Sequence, residues 1–245
     1  MKIALLSDIH SNLEALTECI HVANKSGVEK FVCLGDCIGY GPDPAAVMDM
    51  LLDLPGFTCI AGNHEEFLFD DRNNDSPSKE KYAKSWTMSQ LSEQHIDYIS
   101  QLSYMQVDDG VTYVHATTHD DSGWVYISNT SHAYTCLEHA STPVVFYGHV
   151  HVPVIYQETS DKKLTSMNPE QGESILLQDG HRFVINVGSV GQPRDNNPDA
   201  SFAIYDSDLR SVTCYRVPYD VEKTAAKIRA CGLIEDSAAR LFEGR

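Results

Sequence analysis

Five short clusters along the chain are built from histidine, aspartate and asparagine, residue types that hold metal ions in proteins. The clusters are Asp8-Ile9-His10, Gly35-Asp36, Gly62-Asn63-His64-Glu65, His115 and Gly148-His149-Val150-His151. Imidazole and carboxylate donors without a thiolate suit Mn, Fe, Zn or Co, and the donor types do not choose among these metals. A single D-x-H or a lone histidine is a weak signal, but five such clusters in one chain predict a metal site.

Each cluster lies at or directly after the end of an apolar run that is typical of a buried β-strand. The runs comprise residues 2–7, 30–34, 57–61, 111–115 and 144–147, and helical patterns at residues 13–23 and 42–52 separate the first three. Alternation of strand and helix predicts an α/β fold with parallel pairing. Since sites in such sheets form beyond the carboxyl ends of the strands, the five clusters are expected to converge.

Beyond residue 151 the pattern changes to short strand candidates separated by turns. They comprise residues 154–157, 174–178, 183–187, 202–205 and 212–217. These predict a second, more antiparallel sheet. Polar loops are predicted at residues 70–78 and 162–171, a helix broken once at 79–102, and one or two helices at 219–245. No segment resembles a linker, so residues 1–245 are interpreted as a single domain built on two sheets.

The charge of the chain is strongly negative, with 18 basic and 35 acidic residues among 245 and a formal net charge of −17. This excess argues against general binding to DNA or RNA, which requires basic groups to displace counterions. A small phosphorylated substrate stays compatible, because bound cations reverse the local field. No stable nucleic-acid partner is therefore expected, and most of the acidity is interpreted as solvated surface.

Seven cysteines are scattered along the chain, and no pair of them forms a C-x-x-C motif. Their odd number and irregular spacing predict reduced thiols in a cytoplasmic protein. Cys37 is the thiol beside a ligand type, Asp36, and is interpreted as a packing residue. No run of about 18 apolar residues occurs, so no membrane span is expected. The oligomeric state is left open.

The ordered series D-x-H, G-D, G-N-H-E, H and G-H-x-H resembles the calcineurin-like metallophosphoesterase superfamily, and the NVGS sequence at residues 186–189 extends the match. The resemblance implies an α/β fold, a four-layer αββα sandwich of two mixed β-sheets, with a two-metal site at the strand C-terminal edge. It also implies the ligands. One metal would be held by Asp8, His10, Asp36 and His151, and the second by Asp36, Asn63, His115 and His149. Asp36 would bridge the two, with one carboxylate oxygen on each.

The same resemblance implies a mechanism. Two metals roughly 3.5–4 Å apart would bind a bridging water, lower its pKa and favour in-line attack on phosphorus. His64 would act as a general acid that assists the leaving oxygen; the alternative is a histidine that only orients Asn63. Glu65 is interpreted either as a helix-start carboxylate or as a partner of the ligands.

Three further residues are candidates for substrate binding. The chain after Asp36 reads C-I-G-Y-G-P and lacks the G-D-x-x-D-R-G of protein Ser/Thr phosphatases, so it resembles small bacterial phosphoesterases of the phosphodiesterase type. Tyr40 in this segment either lines the pocket or is a buried structural residue. Arg194, together with backbone amides of residues 186–195, either holds a phosphate or is a solvated turn residue. Trp124 either stacks on a nucleobase or packs in the core.

The resemblance implies a dimetal-dependent phosphohydrolase that cleaves a phosphodiester or phosphoanhydride of a small, nucleotide-type substrate. Two alternatives belong to other classes. A non-catalytic scaffold of the same fold is disfavoured because every ligand position is filled. A nuclease is disfavoured because the net charge of −17 leaves no basic track for a polynucleotide.

Overall fold

A computed structural model describes residues 1–70, 78–119 and 124–245, and in these residues twelve strands form two six-stranded sheets. The first sheet has the order β3-β2-β1-β11-β12-β9 and contains β1 (Lys2–Leu6), β2 (Lys30–Cys33), β3 (Thr58–Cys59), β9 (Ser174–Leu176), β11 (Ala200–Asp206) and β12 (Ser211–Val217). The second has the order β4-β5-β6-β10-β7-β8 and contains β4 (Met105–Asp108), β5 (Val111–Val114), β6 (Val144–Tyr147), β7 (Val154–Glu158), β8 (Leu164–Met167) and β10 (Arg182–Asn186).

Eight helices lie in the described part of the chain. They are α1 (Leu13–Lys25), α2 (Pro44–Leu52), α3 (Asn63–Phe69), α4 (Ser78–Gln90), α5 (Glu93–Ser100), α6 (Thr130–His139), α7 (Val221–Ala230) and α8 (Glu235–Glu243). Local sequence explains their starts: the Asn12 side chain accepts the N–H of Ala15 and caps α1, while Pro44 opens α2. None of these helices is long and apolar enough to cross a membrane.

Both sheets are mixed, and the alternation of side chains along each strand builds the layers. In β1, Ile3 and Leu5 join the core between the two sheets, whereas Ala4 and Leu6 join the core beneath the helices that cover the first sheet. In the second sheet, Val145 faces outward and packs with α6. The prediction of a four-layer αββα sandwich with two mixed β-sheets is therefore confirmed.

The partition of strands between the sheets differs from the prediction. The strands after residue 151 do not form a sheet of their own: β9, β11 and β12 join the first sheet, and β7, β8 and β10 join the second. The reason is long-range pairing, since β11 runs antiparallel to β1 and β10 runs parallel to β6. These pairings build the mixed character of both sheets.

The predicted loop at residues 162–171 was wrong in part, because β8 (Leu164–Met167) pairs antiparallel with β7. This edge strand leaves Ser166 and Met167 exposed, so no alternation of apolar residues marks it in the sequence. The broken helix at residues 79–102 is confirmed as α4 and α5, and the final segment is confirmed as α7 and α8. The predicted loop at residues 70–78 lies outside the described residues for positions 71–77.

The two C-terminal helices are tied to the first sheet's helical layer by charge pairs. Lys227 of α7 donates to Glu14 of α1 at 2.6 Å and to Asp43 at 2.8 Å. Thr224 of α7 donates to Glu14 at 3.0 Å. These contacts hold α7 in place, and Leu233 and Ile234 before α8, with Ser237 in α8, form part of the wall of a cleft.

Candidate metal centre

The structure brings all seven predicted ligand residues to one edge of the sandwich. On one side, Asp8, His10 and His151 converge, with His151 Nε2 3.2 Å from Asp8 Oδ1 and 3.3 Å from His10 Nε2. On the other side, His115 and His149 converge with Asp36. His115 Nε2 also lies 3.2 Å from Oδ1 of Asn63. The five strand ends therefore meet as the sequence pattern predicts.

Asp36 lies between the two groups. Its Oδ2 is 3.7 Å from His10 Nε2 and 3.4 Å from His115 Nε2, so one oxygen faces both sides. Its Oδ1 accepts the backbone N–H of His64 at 2.9 Å. Asp36 therefore faces both groups through Oδ2, while its Oδ1 also contacts the first turn of α3.

Each of the four clustered imidazoles has one ring nitrogen beside a backbone carbonyl, which leaves the other free for the centre. The pairs are His10 Nδ1 with Ile38 O at 3.1 Å, His115 Nδ1 with Leu34 O at 2.6 Å, His151 Nδ1 with Gln192 O at 2.6 Å, and His149 Nε2 with Trp124 O at 2.9 Å. An N–H donated to a carbonyl fixes the tautomer and turns the second nitrogen's lone pair toward the centre, as in metal-binding histidines.

The backbone at this edge is strained. Asp8, His10, Asp36, His149 and His151 all have positive φ, between 49° and 63°. Residues other than glycine avoid this region at a cost of about 1–3 kcal/mol each, and such outliers concentrate at functional sites. The preceding Gly148 allows close approach, because a Cβ there would lie 1.8 Å from Ser7 Oγ. The strands therefore end in conformations that aim the side chains inward.

Opposite charges dominate the electrostatics of the centre. Burial raises the pKa of Asp36, but the imidazoles of His115 and His64 outweigh it and hold that pKa well below its usual range. Burial lowers the pKa of His115, but the carboxylate of Asp36 raises it to about 10. Burial lowers the pKa of His149 to about 4. Two buried carboxylates thus attract positive charge to this point, and a metal cation could take the place of the proton on His115.

Glu65 is buried, and its carboxylate accepts backbone N–H groups from two segments. Oε2 accepts from Asp36 and Gly62 at 2.8 Å each, and Oε1 accepts from Cys37 at 2.9 Å and Ile38 at 3.3 Å. Burial and the neighbouring Asp36 raise the pKa of Glu65 to about 8, while the N–H donors act in the opposite direction. Both interpretations of Glu65 are thus combined, since it caps α3 and also holds the loop that carries Asp36.

A cleft of about 510 Å³ opens beside the centre, a size typical of small-ligand sites. His64 and Tyr40 line it, with ring centroids 4.5 Å apart, and His64 lies 4.8 Å from the ring of His10. Burial lowers the pKa of His64. Tyr40 is half-buried, so of its two interpretations the pocket-lining one describes its position.

Burial raises the pKa of Tyr40, and the charge of the neighbouring Arg194 opposes this rise. Arg194 Nη2 donates to Gln192 Oε1 at 3.0 Å, while its buried Nε has no protein partner. The guanidinium is therefore not the solvated turn residue of the alternative interpretation. Two of the backbone amides in residues 186–195 are engaged within the protein, since those of Val190 and Gly191 donate to the carbonyls of Ser7 and Asp8.

Trp124 forms another part of the cleft wall. Its indole N–H donates to Glu66 at 2.9 Å, and its carbonyl accepts from His149. The ring lies 5.5 Å from His115 in an edge-on arrangement. Trp124 therefore packs against the centre and also presents surface to the cleft.

Comparison with known proteins gives one family. The family model of the calcineurin-like phosphoesterase superfamily domain matches residues 1–209, which leaves α7 and α8 outside the match. An uncharacterized protein of Methanocaldococcus jannaschii is 31% identical to the chain, over 99% of the chain and 98% of the relative.

Two solved structures are similar over their whole length. A metallophosphoesterase from Sphaerobacter thermophilus has a TM-score of 0.89 and 34% identity, with 100% of both chains covered. A hypothetical protein from Pyrococcus horikoshii has a TM-score of 0.80 and 19% identity, with 100% of this chain and 98% of the other covered. At that lower identity the likeness concerns the fold alone.

Proposed function

Because the chain belongs to the calcineurin-like phosphoesterase superfamily, we propose that it is a metal-dependent phosphohydrolase that cleaves a phosphodiester or phosphoanhydride bond of a small, nucleotide-type substrate. One observation carries the proposal. Two carboxylates, an amide oxygen and four imidazoles converge at one sheet edge, and each imidazole has one ring nitrogen beside a backbone carbonyl. A packing cluster has no need to orient four free ring nitrogens toward two buried carboxylates.

The donor set fits two divalent cations of the Mn, Fe, Zn or Co type. Asp8, His10, Asp36 and His151 would hold one of them, and Asp36, Asn63, His115 and His149 the other. When bound, such cations would activate water as a nucleophile and neutralise charge on the phosphoryl group. Asp36 would connect the two positions, since its Oδ2 faces both His10 and His115. All seven cysteines are free thiols, which supports a reducing, cytoplasmic location.

His64 would assist the leaving oxygen. Its backbone N–H is fixed on Asp36 Oδ1, so the ring is held between the centre and the cleft, next to His10. Burial lowers the pKa of His64, but a bound phosphoryl group would add negative charge beside the ring and raise that pKa. The proton on the ring would then be available to the departing group.

Arg194 and Tyr40 would bind the phosphoryl oxygens, and Tyr40 lies next to His64. The unpartnered Nε of Arg194 offers a buried donor, and guanidinium groups bind phosphate oxygens with several parallel hydrogen bonds. The arginine is positioned by its own backbone N–H, which donates to the carbonyl of His151 at 3.2 Å. A substrate phosphate would therefore contact Arg194 and Tyr40 close to His64.

The cleft supports a small substrate with an apolar, flat group. Its wall includes Phe67, Trp124, Leu233 and Ile234, and Trp124 offers a surface for stacking of a nucleobase. Acidic residues outnumber basic ones, since Glu66, Asp70 and Glu80 line the cleft with Lys84. A polyanionic strand would be repelled by this surface, so the cleft favours a small substrate over a nucleic acid and argues against the nuclease alternative.

A metal-dependence assay with bis-p-nitrophenyl phosphate tests the proposal. Protein loaded with Mn, Fe, Zn or Co is expected to hydrolyse the diester, and Asp36→Asn should reduce kcat by more than about 100-fold. Asp161→Asn, at an exposed turn, is the matched control and should retain full activity. Metal binding without turnover of any activated ester would instead support the scaffold alternative and reject the enzyme.

A second assay addresses the substrate class. Turnover of nucleotides, cyclic nucleotides and dinucleoside polyphosphates is compared with that of a phosphoester lacking a base, under the metal that gives the highest activity. The proposal expects kcat/KM to be higher for the base-containing substrates because of the aromatic cleft wall. Equal values for both groups would reject the nucleotide-type substrate while leaving the phosphohydrolase intact.

A further inference from the structure

Three buried thiols converge beside the metal centre. Cys33 Sγ lies 3.4 Å from Cys37 Sγ, and Cys37 Sγ lies 3.5 Å from Cys59 Sγ. The three sulfur atoms all lie within 4.8 Å of one another. In the part of the chain that the structure describes, the other groups of three potential ligands all belong to the candidate metal centre, so the thiol group stands apart from it.

The register of the first sheet explains this convergence. Cys33 and Cys59 are paired across β2 and β3, which run parallel, so their side chains project from the same face of the sheet. That face is the one covered by helices, where both residues join the outer core. Cys37 follows Asp36 in the loop after β2, and its side chain packs in the same core as Cys33 and Cys59. Three separate chain positions thus present sulfur to one point.

Ordinary packing does not require this arrangement. A thiol packs as a small apolar group, and the buried Cys19, Cys136 and Cys214 belong to no group of three potential ligands among the described residues. All three cysteines belong to the apolar core beneath the helices, together with Leu68 and Ile99, so the point where the sulfurs meet is buried. Soft metal ions prefer three or four sulfur donors in such surroundings.

We propose that Cys33, Cys37 and Cys59 form a sulfur-only site that binds one soft cation, distinct from the oxygen- and nitrogen-lined centre. Three donors of one kind and no carboxylate or imidazole in the group favour a thiophilic ion such as Cu(I) over the harder ions proposed for the centre. Binding would release thiol protons to solvent and requires no oxidant or reductant. Cys59 is the most exposed of the three, at 8%, and marks the route of entry.

Such an ion would connect β2, β3 and the loop that carries Asp36. Cys37 directly follows Asp36 in the chain, and the backbone N–H of Cys37 donates to the carboxylate of Glu65. The site is therefore structural, and loading it should stabilise the fold against unfolding because the ion binds the folded chain more tightly than the unfolded one. This inference concerns thiols outside the proposed ligand set, so it stands or falls separately from the phosphohydrolase proposal.

The test is an anaerobic titration of the reduced full-length protein with Cu(I), in competition with a chromophoric Cu(I) chelator. One equivalent should be withheld from the chelator, and X-ray absorption at the copper edge should show sulfur neighbours alone. Cys59→Ala should weaken Cu(I) binding by more than about 100-fold, since one of three donors is removed. Cys214→Ala, which removes another buried thiol, is the matched control and should bind as the wild type does.

Two results would overturn the proposal: complete transfer of Cu(I) to the chelator, or equal binding by Cys59→Ala and the wild type. If Cys59→Ala does not fold, the wild-type absorption spectrum still decides, because nitrogen or oxygen neighbours would assign the copper to another site. Thermal unfolding gives an independent reading. One equivalent of Cu(I) should raise the Tm of the wild type and of Cys214→Ala, and an unchanged Tm in both would contradict a structural site.

Discussion

The carboxylate of Glu65 accepts the backbone N–H of Asp36 at 2.8 Å and thereby ties the first turn of α3 to the loop after β2. The reverse contact runs through the backbone N–H of His64, which donates to the side chain of Asp36 at 2.9 Å. The proposed bridging ligand is thus held at its backbone and at its carboxylate by consecutive residues of one helix turn. Because Asp36 and Glu65 are both buried, a change at Glu65 should alter the position of Asp36 and therefore the metal affinity of the centre.

Glu65→Gln should weaken metal binding without removing a ligand. Glutamine keeps the shape but replaces one acceptor oxygen with an NH₂ group, so two of the four N–H donors lose their partner in either orientation. The expected cost is about 2–4 kcal/mol in the free energy of unfolding and about 10–100-fold in metal affinity. Metal titration and thermal unfolding measure both effects. Glu18→Gln on the exposed side of α1 is the control, and unaltered metal affinity in Glu65→Gln would contradict the positioning role.

His64→Gln should reveal its role through the leaving group. If His64 protonates the departing oxygen, substrates with a poor leaving group should lose about 10²–10⁴-fold in kcat. Activated p-nitrophenyl esters, whose leaving group needs no proton, should lose much less. Metal content should match the wild type, and His21→Gln on the exposed face of α1 serves as the control. An equal loss for both substrate classes would favour the alternative, a histidine that only orients Asn63.

The candidate site could be predicted from the sequence because its ligands are local to strand ends. Asp8 and His149 each follow a run of buried apolar residues, and each run is recognisable without knowledge of its neighbours. The direction of parallel strands then brings their ends together. In contrast, the hydrogen bond from the His64 N–H to Asp36 Oδ1 could not be predicted, because it depends on where α3 begins.

The partition of the sheets could not be predicted because it depends on pairing between distant strands. The partners β1 and β11 are separated by most of the chain, and nothing in either strand specifies the other. Short elements were also missed for local reasons: α3 (Asn63–Phe69) has too few turns to show a helical period, and β4 (Met105–Asp108) is an edge strand with an exposed face. The thiol group was missed because Cys33 and Cys59 meet only through the β2–β3 register.

Glu158→Gln should make the free energy of unfolding less sensitive to a fall in pH below about 4.5. Glu158 and Arg182 are paired across β7 and β10, and the arginine lowers the pKa of Glu158 below 4.5. Since the folded pKa is depressed, this stabilisation is present above pH 4.5 and is lost as the pH falls through the folded value.

The loss in unfolding free energy for Glu158→Gln should therefore be about 1–3 kcal/mol at pH 7 and should shrink below pH 4. Urea unfolding across this pH range measures it. Arg182 has a second partner, Glu138, whose side chain is 46% exposed. Glu138→Gln should therefore lower the free energy of unfolding by less than about 1 kcal/mol. A loss at Glu158 that is constant with pH would show that packing, and not charge, is responsible.

Arg194→Lys should impair substrate binding while leaving the metal centre intact. Lysine keeps the positive charge but loses the planar fork, in which Nη2 contacts Gln192 and a separate nitrogen, Nε, stays available to a phosphate. We expect kcat/KM to fall by about 10-fold or more, chiefly through KM, with metal affinity as in the wild type. Steady-state kinetics on a nucleotide substrate and a parallel metal titration measure the two quantities. Arg210→Lys, in the exposed turn between β11 and β12, is the matched control. Wild-type kinetics in Arg194→Lys would mean that the buried guanidinium only packs against Tyr40, and the phosphate would have to be bound by other groups.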